Sequence, residues 1–235
     1  MSSQGFRYDN YVFDLYGTLV DLHVDEQSAH AWKTWLKWLD AHGISKHPDY
    51  LAFRKDFFEL DAAYREKMIA EGPYTHPEID ILDVYRELFE RYGNRNISEE
   101  LLAEASYAFR EATREYIRLF PGVEAFLNRI HEVGKKAYIL SNAQASYTMP
   151  EIKLLGLDKL VDGIHLSSDY KCMKPEKDFF FGLMKEYLLI PDKTVMIGDN
   201  PEADVEGAKG AMINGILLQG PIAPDVFYLD CISFL

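Results

Sequence analysis

The sequence predicts an α/β protein in which a doubly wound parallel sheet carries an inserted helical unit. Residues 11–13 are apolar and β-prone, and they run into a turn at Gly17, as expected for a buried first strand. Residues 21–119 then show only helical periodicity. From residue 120 onward, apolar strands alternate with helices, which is typical of a parallel sheet covered on both faces. We therefore predict a core made of residues 1–20 and 120–235, and a helical unit made of residues 21–119.

The inserted region contains four amphipathic segments. Gly43, Gly72 and Gly93 separate them, and Ser98 is placed to cap the fourth. We predict no strand in this region, and we predict hinges near residues 20–23 and 118–121. The four apolar faces comprise Ala29, Trp32, Leu36 and Leu39; Phe53, Phe57, Leu60, Tyr64 and Met68; Leu82, Tyr85, Leu88, Phe89 and Tyr92; and Leu102, Ala105, Phe109 and Tyr116.

The second half of the chain alternates between the two kinds of element. We predict strands at residues 136–141, 163–167, 194–198 and 215–218. We predict helices at residues 123–133, 149–155, 175–188 and 202–211. A helical insert between the first strand and the rest of the core is well placed to act as a lid over the sheet.

The composition of the chain limits the kinds of molecule that the protein is expected to bind. The chain has 235 residues, is 48% hydrophobic and carries a net charge of −13, so it resembles a folded domain that would repel nucleic acid and anionic lipid. The N-terminal residues are polar, and no apolar run approaches the ~20 residues of a membrane span. Cys172 and Cys231 have neither zinc-site spacing nor a disulfide framework. We therefore expect a reduced cytoplasmic protein that binds neither nucleic acid nor membranes.

Polar residues follow three predicted strands at the point where each strand ends. Asp14 follows the first, Ser141 and Asn142 the second, and Asp199 a later one, while Lys174 follows another strand closely. In open parallel sheets, ligands bind beyond the carboxyl ends of the strands. Asp, Ser and Asn also favour turns, so each position alone has a purely structural explanation. Asp199 could equally cap the following helix, with Asp204 in solvent.

Four segments, in this order, resemble the motifs of the haloacid dehalogenase superfamily. They are Phe13-Asp14-Leu15-Tyr16-Gly17-Thr18-Leu19, Leu140-Ser141-Asn142, Lys174-Pro175 and Ile197-Gly198-Asp199-Asn200-Pro201-Glu202-Ala203-Asp204. The helical insert after the first motif resembles the first-position cap of that family. The resemblance covers nearly the whole chain and implies a Rossmann-like core, a helical cap and hydrolase activity.

The resemblance also implies roles for individual residues. Asp14 would be the nucleophile, Ser141 a hydrogen-bond donor to the substrate, and Lys174 the cation that holds both. Substrate would also contact Tyr16, Gly17, Thr18 and Asn142. A Mg²⁺ ion would be bound by Asp14, Asp199, Asp204 and the backbone carbonyl of Tyr16.

The charges of these residues agree with a metal site. Two carboxylates ~4 Å apart repel by ~4 kcal/mol at an effective dielectric of ~20. Three acids accompany only Lys174, so a hard divalent cation with oxygen ligands would relieve the repulsion.

Two positions point to different members of the family. Phosphatases of the family usually carry a second Asp where this chain has Tyr16, whereas 2-haloacid dehalogenases have a first motif of the present kind. Those dehalogenases need no metal and typically have Ser where this chain has Asp199. Arg54 loosely resembles the arginine with which they bind halide and carboxylate, although usual burial preferences favour an ordinary exposed helix arginine. Family members that cleave phosphonoacetaldehyde use a cap lysine, for which Lys33 and Lys37 are candidates unless they simply face solvent.

Three hypotheses follow from these positions. The first is a Mg²⁺-dependent phosphatase that acts on a small phosphorylated metabolite through an aspartyl-phosphate on Asp14. The second is a metal-free 2-haloacid dehalogenase in which Asp14 attacks carbon and Arg54 holds the carboxylate. The third is a binding or sensing protein that kept the fold and lost turnover. The sequence leaves the particular substrate and the oligomeric state open.

Overall fold

The computed structural model describes residues 6–218, so Cys231 and the end of the predicted core lie outside the described residues. The strands in this range are β1 (Asn10–Phe13), β2 (Val20–Val24), β3 (Arg114–Leu119), β4 (Lys136–Ser141), β5 (Gly163–Leu166), β6 (Thr194–Gly198) and β7 (Asn214–Leu217). The α-helices are α1 (Ala29–Ala41), α2 (Tyr50–Glu71), α3 (Ile81–Arg91), α4 (Glu99–Thr113), α5 (Val123–Glu132), α6 (Ala145–Leu154), α7 (Lys177–Tyr187) and α8 (Gly207–Gly210).

Five strands form one parallel sheet in the order β5-β4-β1-β6-β7. β1 lies at its centre because it pairs with both β4 and β6. Tyr11 and Phe13 pack on one face with α5 and α6, whereas Val12 packs on the other with α7 and α8. This alternation is the period-two pattern of a strand buried on both sides. The structure confirms the predicted doubly wound α/β fold.

The four helices between β2 and β3 share a separate hydrophobic cluster. Trp32 and Trp35 of α1 are fully buried in it, against Phe53 of α2, Tyr85 of α3 and Phe109 of α4. Aromatic rings dominate these contacts, and each pair adds ~0.5–1.5 kcal/mol beyond the area it buries. The predicted helical unit is therefore present as four packed helices, while its exact division from the core stays a prediction.

The segments predicted as hinges instead form an antiparallel ribbon of β2 and β3. Val20 pairs with Leu119, and Leu22 pairs with Ile117. The prediction that this region has no strand was wrong, as was the assignment of Tyr116 to the fourth helix, which ends at Thr113. The local sequence continues a helical pattern, but pairing with β2 overrides this weak preference, as tertiary context often does.

Smaller differences affect the ends of other elements. α6 begins at Ala145 rather than at residue 149, and α7 begins at Lys177 rather than at residue 175. The helix predicted at residues 202–211 is a π-helical turn, Pro201–Glu206, followed by the short α8. Within residues 6–218, no helix combines the length and the apolar character that crossing a membrane requires.

Candidate active site

A cavity of about 230 Å³ opens at the carboxyl ends of β1, β4 and β6. The predicted site residues that line it are Asp14, Tyr16, Ser141, Asn142, Lys174, Asp199 and Asp204. The geometry of the parallel sheet explains this convergence, because neighbouring strands end at the same edge. The structure therefore brings together seven residues that the sequence spreads over 191 positions of the chain, from Asp14 to Asp204 inclusive.

Lys174 lies between two carboxylates at the floor of the cavity. Its Nζ donates to Oδ1 of Asp14 and to Oδ1 of Asp204, at 2.7 Å each. Although burial opposes its charge, the two carboxylates raise the pKa of Lys174 above its ordinary value. Lys174 therefore stays protonated and holds the Asp14 side chain in a fixed position.

Asp14 has an unusual proton affinity for a carboxylic acid. Burial raises its pKa to about 6; Lys174 opposes the shift, and the nearby Asp204 carboxylate adds to it. One cation cannot fully compensate two buried carboxylates. A further positive charge at this site would favour the ionised form of Asp14, which is the form that can act as a nucleophile.

Asp14, Asp199 and Asp204 form a cluster suited to a cation. One carboxylate oxygen from each residue lies within 4.8 Å of the others. Carboxylate oxygens are the ligands that Mg²⁺ prefers. The donor set therefore fits a hard divalent cation. Whether the carbonyl of Tyr16 completes the set stays a prediction.

Two glycines allow the acids to approach the backbone closely. A Cβ at Gly17 would lie 2.5 Å from Oδ2 of Asp199, and a Cβ at Gly198 would lie 2.0 Å from Oδ2 of Asp204. Gly17 also has φ +86, in the left-handed region that favours glycine. Both positions thus exclude side chains for a reason tied to the carboxylates.

Asp199 does not cap the turn that follows it. The Asn200 side chain does so, because its Oδ1 accepts from the backbone N–H groups of Glu202 and Ala203, at 3.0 and 2.9 Å. Asp199 is exposed to the cavity, and the Thr18 hydroxyl donates to its Oδ1 at 3.3 Å. Asp204 is 1% exposed and accepts from the Asn200 N–H as well as from Lys174. The structural alternative for these two acids therefore fails.

Ser141 and Asn142 contribute to the cavity in different ways. The Ser141 hydroxyl lines the cavity and has no hydrogen-bond partner within the described part of the chain. It is free to donate to a bound ligand. The Asn142 amide instead holds the backbone of Lys174, accepting from its N–H at 2.7 Å and donating to its carbonyl at 2.9 Å. Asn142 therefore positions Lys174, and its predicted contact with substrate stays a prediction.

Tyr16 lines the cavity but directs its hydroxyl toward a buried carboxylate. The phenol donates to Glu151 Oε2, and it also lies 3.2 Å from the Thr148 hydroxyl. Burial and then the Glu151 charge raise the pKa of Tyr16 well above its usual range. The phenol therefore stays protonated at neutral pH and is a poor general base.

Glu151 forms an ion-pair network that the sequence analysis did not find. It is 1% exposed; its Oε1 accepts from Nε of Arg110 at 2.9 Å and from Nη1 of Arg114 at 3.1 Å. The only sequence signal was weak. In the sequence, Arg110 and Arg114 are four positions apart, so a helix would place both on one face, next to Phe109. Such a charged face is expected to lie in solvent. A buried glutamate gives no such signal, because glutamates usually face solvent.

Gly17, Thr18, Arg54, Lys33 and Lys37 are not among the residues that line the cavity. Gly17 and Thr18 border it through their contacts with Asp199. Arg54 donates to the backbone carbonyl of Gln27 at 2.9 Å, in an exposed position, and the structure does not bring it to the site. Lys33 lies 4.7 Å from the centre of the Tyr50 ring. The proposed contacts of all five residues with substrate stay predictions.

The site and the fold together define a class of hydrolase with a carboxylate at the tip of the central strand. The family profile described as haloacid dehalogenase-like hydrolase matches residues 8–211, so this chain belongs to that family.

Individual relatives are phosphatases. The chain is 28% identical over 142 residues to a phosphoserine phosphatase from Thermus thermophilus, a match that covers 60% of this chain and 55% of that protein. It is 25% identical over 154 residues to a glyceraldehyde 3-phosphate phosphatase from Pyrococcus furiosus, covering 64% and 61%. The chain thus spans roughly three-fifths of the length of these relatives.

Solved structures share the fold. A 2-haloacid dehalogenase from Pseudomonas syringae superimposes with a TM-score of 0.59 at 21% identity, covering 89% of this chain and 86% of that one. A phosphatase of the same family from Thermococcus onnurineus gives a TM-score of 0.55 at 19% identity, covering 90% and 86%. The shared fold does not choose between the two chemistries.

Proposed function

We propose that this protein is a Mg²⁺-dependent phosphatase that hydrolyses a small phosphate monoester through an aspartyl-phosphate on Asp14. The observation that carries the proposal is the convergence of the Asp14, Asp199 and Asp204 carboxylates, of which only Asp14 and Asp204 are bonded to Lys174. A metal-free haloacid dehalogenase has no use for three acids here, because they would repel the carboxylate of its substrate. The two phosphatase relatives support the same choice.

Each residue of the site has its own role in the proposed reaction. Asp14 attacks phosphorus as the P–O bond to the organic group breaks, and the leaving oxygen takes its proton from water, because Tyr16 stands where a second Asp would supply it. The Ser141 hydroxyl donates to a phosphoryl oxygen, and Lys174 keeps Asp14 in line while it balances the negative charge. Asp14, Asp199 and Asp204 would hold Mg²⁺, which as a Lewis acid polarises the phosphoryl group.

Water then cleaves the aspartyl-phosphate and frees Asp14. Family phosphatases use a second Asp to activate this water, whereas Tyr16 is held by Glu151 and stays protonated. Losing a positioned acid–base group costs ~10²–10⁴-fold in rate. We therefore propose slow turnover, because departure of the alcohol and attack of water both lack a positioned acid–base group.

A 2-haloacid dehalogenase is the second candidate, and Tyr16 is the observation that favours it. In that reaction Asp14 would attack carbon and expel halide, with no protonation of a leaving alcohol. The third candidate, a binding protein without turnover, is favoured by the same residue.

One experiment separates the three. Phosphate release and halide release are measured on panels of phosphate monoesters and 2-haloacids, with and without Mg²⁺, for the full chain. The proposal expects Mg²⁺-dependent phosphate release that Asp14→Asn and Asp199→Asn abolish. Asp192→Asn, which removes the same charge at an exposed site, serves as the matched control and should behave as the parent.

Other outcomes would contradict the proposal. Halide release without Mg²⁺ would establish the dehalogenase. Tight Mg²⁺-dependent ligand binding without release of either product would establish the binding protein.

A further inference from the structure

A second cavity, of about 140 Å³, lies between the helical unit and α6 of the core. Residues of α2, α3 and α4 form most of its wall, and Gln144 and Tyr147 complete it from the core side. Five aromatic rings line it: Phe57, Phe58, Tyr85, Phe109 and Tyr147. A cavity of ~150 Å³ holds a molecule the size of benzene, so this one suits a group of about six non-hydrogen atoms.

One residue that lines the second cavity contacts one residue that lines the catalytic cavity. Arg110 lines the second cavity, and its guanidinium lies between two tyrosine rings, 5.3 Å from the centre of Tyr16 and 4.7 Å from that of Tyr147. Tyr16 in turn lines the catalytic cavity. A substrate whose phosphate is bound at Asp14 therefore has this cavity as the neighbouring space for its organic part.

Most charged groups of the second cavity already have partners. Arg110 is engaged by Glu151, and Arg65 donates to both oxygens of Asp61, at 2.9 and 3.2 Å. Two groups in the cavity have no such partner, and both can accept hydrogen bonds. Within residues 6–218, the Glu26 carboxylate has no hydrogen bond or ion pair, and the Tyr147 hydroxyl has no hydrogen bond.

The charged residues that line the cavity are two acids, Glu26 and Asp61, and two arginines, Arg65 and Arg110. Both arginines are already paired with carboxylates: Arg65 with Asp61 and Glu78, and Arg110 with Glu151. The uncompensated charge is that of Glu26. A ligand group that complements this cavity is therefore a hydrogen-bond donor or a cation. Aromatic faces around a cation add a further attraction, and aromatic cages of this kind recognise quaternary ammonium groups.

We propose that the second cavity binds the ammonium group of the substrate's alcohol portion, with Glu26 as the counter-charge and the aromatic rings as its walls. The substrates would then be phosphate monoesters of small amino alcohols. This inference rests on the proposed phosphatase function for the ester, whereas binding of the free alcohol does not depend on hydrolysis.

The test measures binding of two alcohols of the same shape to the full chain. Choline carries the positive charge, and 3,3-dimethylbutan-1-ol replaces its nitrogen with carbon. Isothermal titration calorimetry gives both dissociation constants for the parent, Glu26→Gln and Tyr147→Phe. Glu104→Gln is the matched control, because Glu104 is an exposed acid on α4 that lines neither cavity.

We expect the parent to prefer choline by ~5-fold or more, as a cation held by aromatic rings and a carboxylate requires. The preference should fall below ~2-fold in Glu26→Gln and persist in Glu104→Gln. Tyr147→Phe keeps the aromatic wall and the Glu26 charge, so it should preserve the preference for choline.

Three results would overturn the inference: equal binding of the two alcohols by the parent, absence of choline binding, or tighter binding of the anion glycolate. A chain that binds choline selectively but releases no phosphate from phosphocholine or from any other monoester of the panel would keep this inference and refute the phosphatase.

Discussion

Replacing Glu151 with glutamine tests whether the buried ion-pair network stabilises the protein. Glu151 is 1% exposed, and it accepts hydrogen bonds from Arg110, Arg114 and Tyr16. Glutamine has nearly the same shape and keeps one oxygen, but it removes the charge. Arg110, whose side chain is only 9% exposed, then loses its one carboxylate partner.

The size of the effect follows from this geometry. Removing one partner of a buried ion pair costs ~3–5 kcal/mol, because an uncompensated charge stays behind. Glutamine still offers an acceptor, so we expect a loss of ~3 kcal/mol in the free energy of unfolding. For a chain of this length each kcal/mol lowers the Tm by ~2–4 °C, which gives a fall of ~6–12 °C.

Urea and thermal unfolding followed by circular dichroism would measure both quantities. Glu111→Gln is the matched control, because Glu111 lies 3.7 Å from Arg114 but its side chain is 52% exposed. Exposed ion pairs contribute at most ~1 kcal/mol, so we expect little change there. If Glu151→Gln unfolded at the same urea concentration as Glu111→Gln, the network would not stabilise the fold in the way described.

Three further predictions concern single positions. Tyr16→Phe should lose ~1–3 kcal/mol of unfolding free energy in urea, because its hydroxyl bonds a buried carboxylate. A ~10²-fold slower phosphate release in that variant would instead reveal a proton-transfer role. Gly43→Ala should cost ~1–2 kcal/mol because the position is left-handed, and Gly17→Ala should cost at least as much because its Cβ also meets Asp199. Only Gly17→Ala should weaken Mg²⁺ binding in calorimetry, because its Cβ would displace Asp199; equal affinities would refute the cluster. Burial lowers the pKa of His165, so the native state binds fewer protons than the unfolded chain, and stability should fall as the pH drops below ~6.5. His165→Gln should flatten that fall in urea titrations at several pH values, and an unchanged slope would contradict the assignment.

The catalytic edge of the sheet could be predicted from the sequence because its residues occupy strand ends. Asp14, Ser141 and Asp199 each follow an apolar run, and parallel strands end together. Because each residue directly follows its strand, its place at that edge of the sheet can be deduced from the sequence. The same reasoning located four helices, because their apolar faces repeat at helical spacing.

The second cavity and the network around Glu151 could not be predicted in this way. Arg110 and Glu151 meet across the boundary between the helical unit and the core, 41 positions apart in the chain. Neither residue follows a strand, and charged helix residues usually face solvent. These two side chains are buried only because the helical unit packs against the core. The ribbon of β2 and β3 was missed for a related reason, since its pairing joins residues about a hundred positions apart, such as Val20 and Leu119.

The ribbon of β2 and β3 restricts how the helical unit can move. The chain enters and leaves that unit through two strands hydrogen-bonded to each other, so the two connections would have to move together. The Gly17 N–H donates to the carbonyl of Val20, the first residue of β2, at 2.9 Å. Any such movement of the two strands pulls on the turn that follows the nucleophile. A motion of the helical unit that admitted substrate would therefore also displace the turn next to Asp14.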